Sequence, residues 1–181
     1  MEKELEIKLL NLDMKEPESS LIKKGASLIA HENQKNIIVS SSTGNFKSKG
    51  DYLRIRLIDD LLNKKYFKYL TFKKLKNNKE IRESEEYTIQ FDDLDNLKNI
   101  LASLGYDEFE LNLKERYSYK YKDLRIDFDF WDRESFPFDY VEVEFKSYEQ
   151  LELFLKEFNI SKESASTKSI GELKKMYFKG I

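Results

Sequence analysis

Along most of this chain, charged residues alternate with apolar ones at a period of two, and nothing else in the sequence constrains the fold as strongly. That period belongs to a β-strand with one apolar and one polar face. It is cleanest over residues 109–121. There Phe109, Leu111, Leu113, Tyr117 and Tyr119 share one face, and Glu110, Asn112, Lys114, Arg116, Ser118 and Lys120 the other. Residues 3–10 open the series, with Glu4, Glu6 and Lys8 opposite Leu5, Ile7 and Leu9. Further runs lie at 51–59 (Arg54 and Arg56 on one side), 66–75 (Thr71 and Lys73), 124–131 (Arg125, Asp127, Asp129 and Trp131) and 139–146 (Tyr140, Glu142, Glu144 and Lys146). The run at 80–90 is noisier, with Arg82, Ser84, Glu86 and Thr88 on one face, and 33–42 is marked mainly by β-branched residues.

Between these strands the period changes to that of helices. Residues 17–28 read as a helix in which Gly25 is a blemish. Residues 93–104 follow an acidic cap at Asp92 or Asp93 and stop at Gly105, and residues 148–158 follow a Ser147/Gln150 capping box. A short helix is expected over 170–178, and loops over 43–50 and 161–168, with a turn at Asn77–Asn78. Eight strands in hairpin order with three or four helices predict an antiparallel α+β fold, one domain spanning residues 1–181.

A sandwich with one solvated face would show the same alternation. Eight strands are also enough to close a barrel and abolish its edges. If the polar face points inward, the interior is a charged tunnel, and the amphipathic helices cover the apolar outside. Cations and carboxylates interleaved in one cavity suit a phosphate chain with bound metal. Arginine pairs phosphate bidentately, and an all-oxygen acidic ligand set suits Mg²⁺ or Mn²⁺. Two carboxylates about 7 Å apart on one strand face, such as Glu4 and Glu6, can share a divalent cation.

Composition removes several rivals. There is no cysteine, so disulfides, thiolate metal sites and cysteine nucleophiles are out, and the single histidine, His31, excludes a multi-histidine zinc site. His31 is expected to be solvated. With 32 basic against 34 acidic residues there is no global charge to draw nucleic acid or membrane. No apolar run approaches a membrane span, and a cytoplasmic location is the default expectation. Trp131, at a strand end, reads as packing or as a platform for a ring. The lysines at 168, 174, 175 and 179 read as a solvated helix face, apart from Lys168 at the helix start.

The motifs in their order, Glu4-x-Glu6-x-Lys8, Arg54-x-Arg56, Lys73, Arg82 with Glu86, Lys114-x-Arg116, an aspartate-bearing strand and Glu142-x-Glu144, resemble the CYTH family. Its members are also called triphosphate tunnel metalloenzymes and include class IV adenylyl cyclases, thiamine triphosphatases and inorganic triphosphatases. The resemblance implies an eight-stranded antiparallel closed β-barrel with helices packed outside, binding a small-molecule triphosphate with Mg²⁺ or Mn²⁺. It implies metal ligation by Glu4, Glu6, Glu144 and Glu142, with Asp127 or Asp129 as an extra carboxylate. It implies phosphate binding by Lys8, Arg54, Arg56, Lys73, Arg82, Lys114 and Arg116, and a catalytic role for Lys8 in activating the nucleophile. Hydrolysis of inorganic tripolyphosphate is the expected reaction. The alternatives are cyclisation of ATP to cyclic AMP and pyrophosphate, or hydrolysis of an organic triphosphate such as thiamine triphosphate or a nucleotide. The expected state is a monomer or homodimer. The chain departs from many relatives in lacking a tyrosine pair after Gln34, in having Lys74 where glycine is common, and in reading Lys168-Ser169-Ile170 near its end.

Overall fold

The computed structural model describes residues 2–44, 50–77 and 82–179, and the side chains of these except for residues 2–4, 77, 82, 178 and 179. The elements run β1 (Glu2–Leu9), α1 (Lys15–Lys23), β2 (Ser27–Ser40), β3 (Tyr52–Asp60), β4 (Lys65–Asn77), β5 (Arg82–Gln90), α2 (Leu94–Ser103), β6 (Glu108–Tyr121), β7 (Leu124–Trp131), β8 (Tyr140–Phe145), α3 (Tyr148–Glu157), β9 (Ala165–Ser166) and α4 (Ile170–Lys179). Every strand pairing is antiparallel. The sheet runs β5-β4-β3-β2-β6-β7-β8-β1, and β5 pairs back onto β1 to close the barrel, with the two-residue β9 added on β1. Closure leaves no long edge unpaired.

The inward face is the charged one and the outward face is apolar, so the helices are needed as covers. On one side Ile7, Leu9, Ile126, Phe128, Val141 and Val143 pack beneath Leu21 of α1 and Leu151, Phe154 and Leu155 of α3. On the other, Ile37, Val39, Leu53, Ile55 and Leu57 pack beneath Leu101 of α2. A third cluster sits at one mouth of the barrel, where Leu173 of α4 packs with Trp131, Phe136 and Tyr140. No helix among the described residues is long and apolar enough to cross a membrane.

Local chemistry explains most boundaries. Asp93 caps α2, its carboxylate accepting from the Asn96 N–H at 2.9 Å, and Ser147 and Gln150 form the reciprocal capping box of α3. The clearest departure from expectation lies at α1 and β2. Gly25, at φ +89°, does not interrupt a helix running to residue 28 but reverses the chain after Lys23. Leu28 then belongs to β2, which starts six residues earlier than its β-branched stretch suggests. A register shift between Leu28 and Ala30 breaks the alternation there, while pairing with the long β6 carries the strand through it. The expected turn at Asn77–Asn78 and the expected loop at 43–50 lie partly outside the described residues, as do Met1 and Ile181.

Candidate active site

Because the strands alternate, the barrel interior collects the charged residues of six strands around a cavity of about 270 Å³. Its wall includes Glu6 and Lys8 of β1, Arg54 and Arg56 of β3, Lys73 of β4, Glu86 of β5, Lys114 and Arg116 of β6, and Glu142 and Glu144 of β8. Asn36 of β2, Asn112 of β6, Trp131 and Tyr140 complete it, with Ser169 to Gly171 and Lys174 of the α4 region across the mouth. Of the residues expected from sequence, Glu4 and Arg82 have side chains outside the described residues. The backbone register sets Glu4 opposite Ser84 and Arg82 opposite Glu6.

Register explains the neighbours. Glu6 faces Glu144 across the β1–β8 ladder and Lys8 faces Glu142. Lys8 Nζ donates to Glu142 Oε1 at 2.7 Å and stands 3.6 Å from Glu6 Oε1. Lys73 Nζ bridges Glu6 at 3.1 Å and Glu86 at 2.5 Å. Arg116 Nη2 donates to Glu142 Oε2 at 3.0 Å. Burial opposes ionisation of Glu142, but Lys8 and Arg116, followed by Lys114 and Lys73, override it and hold the carboxyl well below the usual range.

The two arginines of β3 differ from the other cations. Among the described residues neither Arg54 nor Arg56 has a carboxylate partner. Arg56 Nε donates to the Asn36 side-chain oxygen at 2.7 Å, while Arg54 Nε is buried with no acceptor. Burial first, then repulsion from Arg54 and Arg116, brings Arg56 down to about 10. Lys114 falls to about 7 through burial and the neighbouring Arg116, although Asp129 accepts from its Nζ at 2.6 Å. Unbalanced, desolvated positive charge on one wall is the electrostatic signature of an anion site.

Asp127 and Asp129, expected near the metal, do not line the cavity. Both are buried behind Arg116, and their oxygens accept from Arg116, Lys114 and Arg125. Two expectations about the lysines are reversed. Lys168 is exposed and lies outside the cavity wall. Lys174, expected on a solvated face, donates to Glu110 Oε1 at 2.7 Å and to Asn112 Oδ1 at 2.6 Å, and so ties α4 across the mouth. His31 lies outside the site, stacked on Tyr117 with ring centroids 4.1 Å apart and bonded to Glu115 at 2.7 Å, so it is only partly solvated. Sequence reading placed Glu86 on the inward face and in the motif without giving it a role, and did not select Asn36, Asn112 or Tyr140 for the site. Asn112 and Tyr140 could have been found from their place on the inward face.

As a metal site, the donor set is all carboxylate oxygen, with Glu6 directly opposite Glu144, which suits a hard divalent cation. As the side chains lie, no three acidic or histidine groups among the described residues stand together at ligating range. Lys8 and Lys73 occupy the space between them.

An antiparallel barrel closed around a cavity of interleaved cations and carboxylates defines a class of protein that holds a polyanion inside a tunnel. The chain belongs to the CYTH domain family, whose model matches residues 2–170. It is 28% identical over 178 residues to the Methanocaldococcus jannaschii protein named "Putative adenylate cyclase", covering 94% of this chain and 98% of that one. Its fold is similar to that of the PH1012 protein of Pyrococcus horikoshii, with a TM-score of 0.76, 18% identity and 94% and 98% of the two chains covered. It is also similar to a Hippeastrum protein described as a "putative adenylyl cyclase" with a dominant triphosphatase activity, at a TM-score of 0.67 and 19% identity over 99% and 96% of the chains.

Proposed function

We propose that this chain is a metal-dependent hydrolase of a triphosphate, with inorganic tripolyphosphate its preferred substrate, and that residues 1–181 act as one domain. The observation that carries the reading is the pair Arg54 and Arg56, half-buried in the cavity wall without a carboxylate partner among the described residues, opposite a wall of glutamates. Pure polyanion binding would gain nothing from those glutamates. A metal–phosphate complex uses both walls.

Arg54, Arg56, Lys73, Lys114 and Arg116 bind and orient the phosphate oxygens, Arg116 through the N–H its carboxylate partners leave free, and Arg82 on β5 belongs with them. Glu6 and Glu144, with Glu4 and Glu142 beside them, would hold the cation. When bound, the metal supplies charge neutralisation on the phosphates and a more acidic water. Lys8, between Glu6 and Glu142, orients the attacking water toward the terminal phosphorus. The water oxygen forms the new P–O bond, the bridging bond to the middle phosphate breaks, and pyrophosphate leaves with orthophosphate formed. Fixed guanidinium groups meet the charge that moves onto the leaving oxygen.

Cyclisation of ATP is the second reading, favoured by the name of the Methanocaldococcus jannaschii relative. Parallel assays with Mg²⁺ or Mn²⁺ on tripolyphosphate, ATP and thiamine triphosphate, scoring orthophosphate, pyrophosphate and cyclic AMP, separate the two. Orthophosphate from tripolyphosphate is the expected dominant product, and cyclic AMP as the main product would replace hydrolysis by cyclisation. Glu6→Ala and Glu144→Ala should raise the metal concentration needed for half-maximal rate.

A further inference from the structure

Two carboxylates of the barrel interior never reach the cavity. Asp127 and Asp129 sit on the inward face of β7, 1% and 0% exposed, and neither lines the wall. Cations enclose both. Asp129 Oδ1 accepts from Arg116 Nε at 2.6 Å, and its Oδ2 accepts from Lys114 Nζ at 2.6 Å and from Arg116 Nη2 at 2.7 Å. Asp127 Oδ2 accepts from Arg116 Nη1 at 2.5 Å, and its Oδ1 from Arg125 Nε at 3.0 Å. A divalent cation needs carboxylate oxygens at about 2.0–2.6 Å. To gain these, it would have to evict a guanidinium or an ammonium.

Arg116 is correspondingly committed. Its Nε, Nη1 and Nη2 make three hydrogen bonds to the two aspartates, and Nη2 makes a fourth to Glu142, which leaves one of about five N–H groups for anything else. Among the described residues Arg54 and Arg56, on β3 at the far side of β2, have no carboxylate partner, and of the two only Arg56 hydrogen-bonds a neutral side chain, that of Asn36. Arg116 is therefore held in place.

We propose that Asp127 and Asp129 are positioning residues for the phosphate site. They fix Lys114 and Arg116 at the cavity wall, while Glu142 is held independently by Lys8. The proposal rests on the cavity being a triphosphate site. Its sign is distinctive. Neutralising a carboxylate near a polyanion strengthens binding if only charge matters. Neutralising a positioning carboxylate weakens it, because Lys114 and Arg116 then turn toward Glu142 and withdraw from the substrate.

Asp129→Asn keeps the shape and removes the charge. Binding of inorganic tripolyphosphate, measured by calorimetry in EDTA, is expected to weaken about tenfold or more, as when a supporting partner of a ligand-holding group is lost. Mn²⁺ affinity, followed by electron paramagnetic resonance, is expected to stay within about twofold of wild type, because Lys8 still holds Glu142 at 2.7 Å, whereas losing a carboxylate that ligated or supported the metal would cost about tenfold or more. Without any ligand, the Arg116 Nε–H resonance in ¹⁵N-edited NMR should lose its protection from exchange. Unchanged or tighter tripolyphosphate binding, a tenfold loss of Mn²⁺ affinity, or an unaltered Nε–H resonance would overturn the proposal. Absence of tripolyphosphate binding by the wild type, with and without Mn²⁺, would instead refute the triphosphate reading, and the Nε–H resonance would still judge the placement. If Asp129→Asn does not fold, Asp127→Asn weakens a single Arg116 contact, that of Nη1, along with the Arg125 contact, and carries the same three measurements with smaller changes.

Discussion

Arg54 and Arg56 differ from every other cation in the cavity because no carboxylate neutralises either of them among the described residues. On the proposed function, substitution of either removes phosphate contacts without stranding a buried carboxylate. Arg54→Ala should raise KM for the triphosphate about ten- to hundredfold, the range for losing a charge-assisted hydrogen bond of about 1.5–3 kcal/mol, with little change in melting temperature. A matched loss of stability would show that Arg54 is structural. Lys114 gives a pH prediction. In the ligand-free protein its ammonium deprotonates near pH 7, because burial and Arg116 disfavour the charge. A triphosphate restores the proton, so binding at pH 8 should take up about one proton and affinity should fall by at most about tenfold per pH unit above 7. Calorimetry in two buffers of different ionisation enthalpy reads that proton directly, and Lys114→Met should abolish the uptake. The stability term has the opposite trend. The unfolded chain keeps this proton up to the ordinary lysine value of 10.5, so the penalty for burying Lys114 is full below pH 7 and is relieved between 7 and 10.5.

The elements show which parts of the molecule their own residues determine. The capping box at Ser147 and Gln150 is legible because its signal is local, and Ser147→Ala should cost about 1 kcal/mol, seen as a lower melting temperature. α4 is the contrary case. Its apolar positions mark a helix, but nothing in residues 170–179 says that the helix lies across the barrel mouth. That placement comes from Leu173 packing on Trp131, Phe136 and Tyr140 and from Lys174 reaching Glu110 and Asn112. Leu173→Ala should cost about 2–5 kcal/mol of the docking of α4, while Lys174→Ala, at a partly exposed pair, should cost under about 1 kcal/mol. Limited proteolysis within 170–179 ranks the two. Equal susceptibility would mean that the ion pairs hold the helix.

Across the whole molecule, alternation told which face each charged residue occupies, and so Glu6, Lys8, Arg54, Arg56, Lys73, Lys114, Arg116, Glu142 and Glu144 were readable as one interior set. It could not tell how far along the barrel each one sits. That depends on the stagger between strands, which is a property of closure and not of any single segment. Asp127 and Asp129 share the inward face of the site residues but fall behind Arg116, and sequence periodicity has no coordinate for that depth. The same limit hid the early start of β2, where a bulge breaks the alternation that marks strands elsewhere. Closure also sets the order of stability. β1 is hydrogen-bonded to β5, β8 and β9, so its amides at residues 5–9 should exchange with solvent among the slowest in the chain, well behind those of α4. Exchange of β1 as fast as α4 would mean that the barrel opens along that seam.

The β1–β8 pairing has a further consequence on the ribosome. Lys8 and Glu142 are neighbours in the barrel but lie 134 residues apart in the chain. At about 5–20 residues per second, the nascent β1 waits on the order of ten seconds for the strand that completes its ladder. During that interval Leu5, Ile7 and Leu9 lack their final cover. The strand that brings Glu6 and Lys8 to the cavity is thus also one whose apolar face waits through most of synthesis for its final cover.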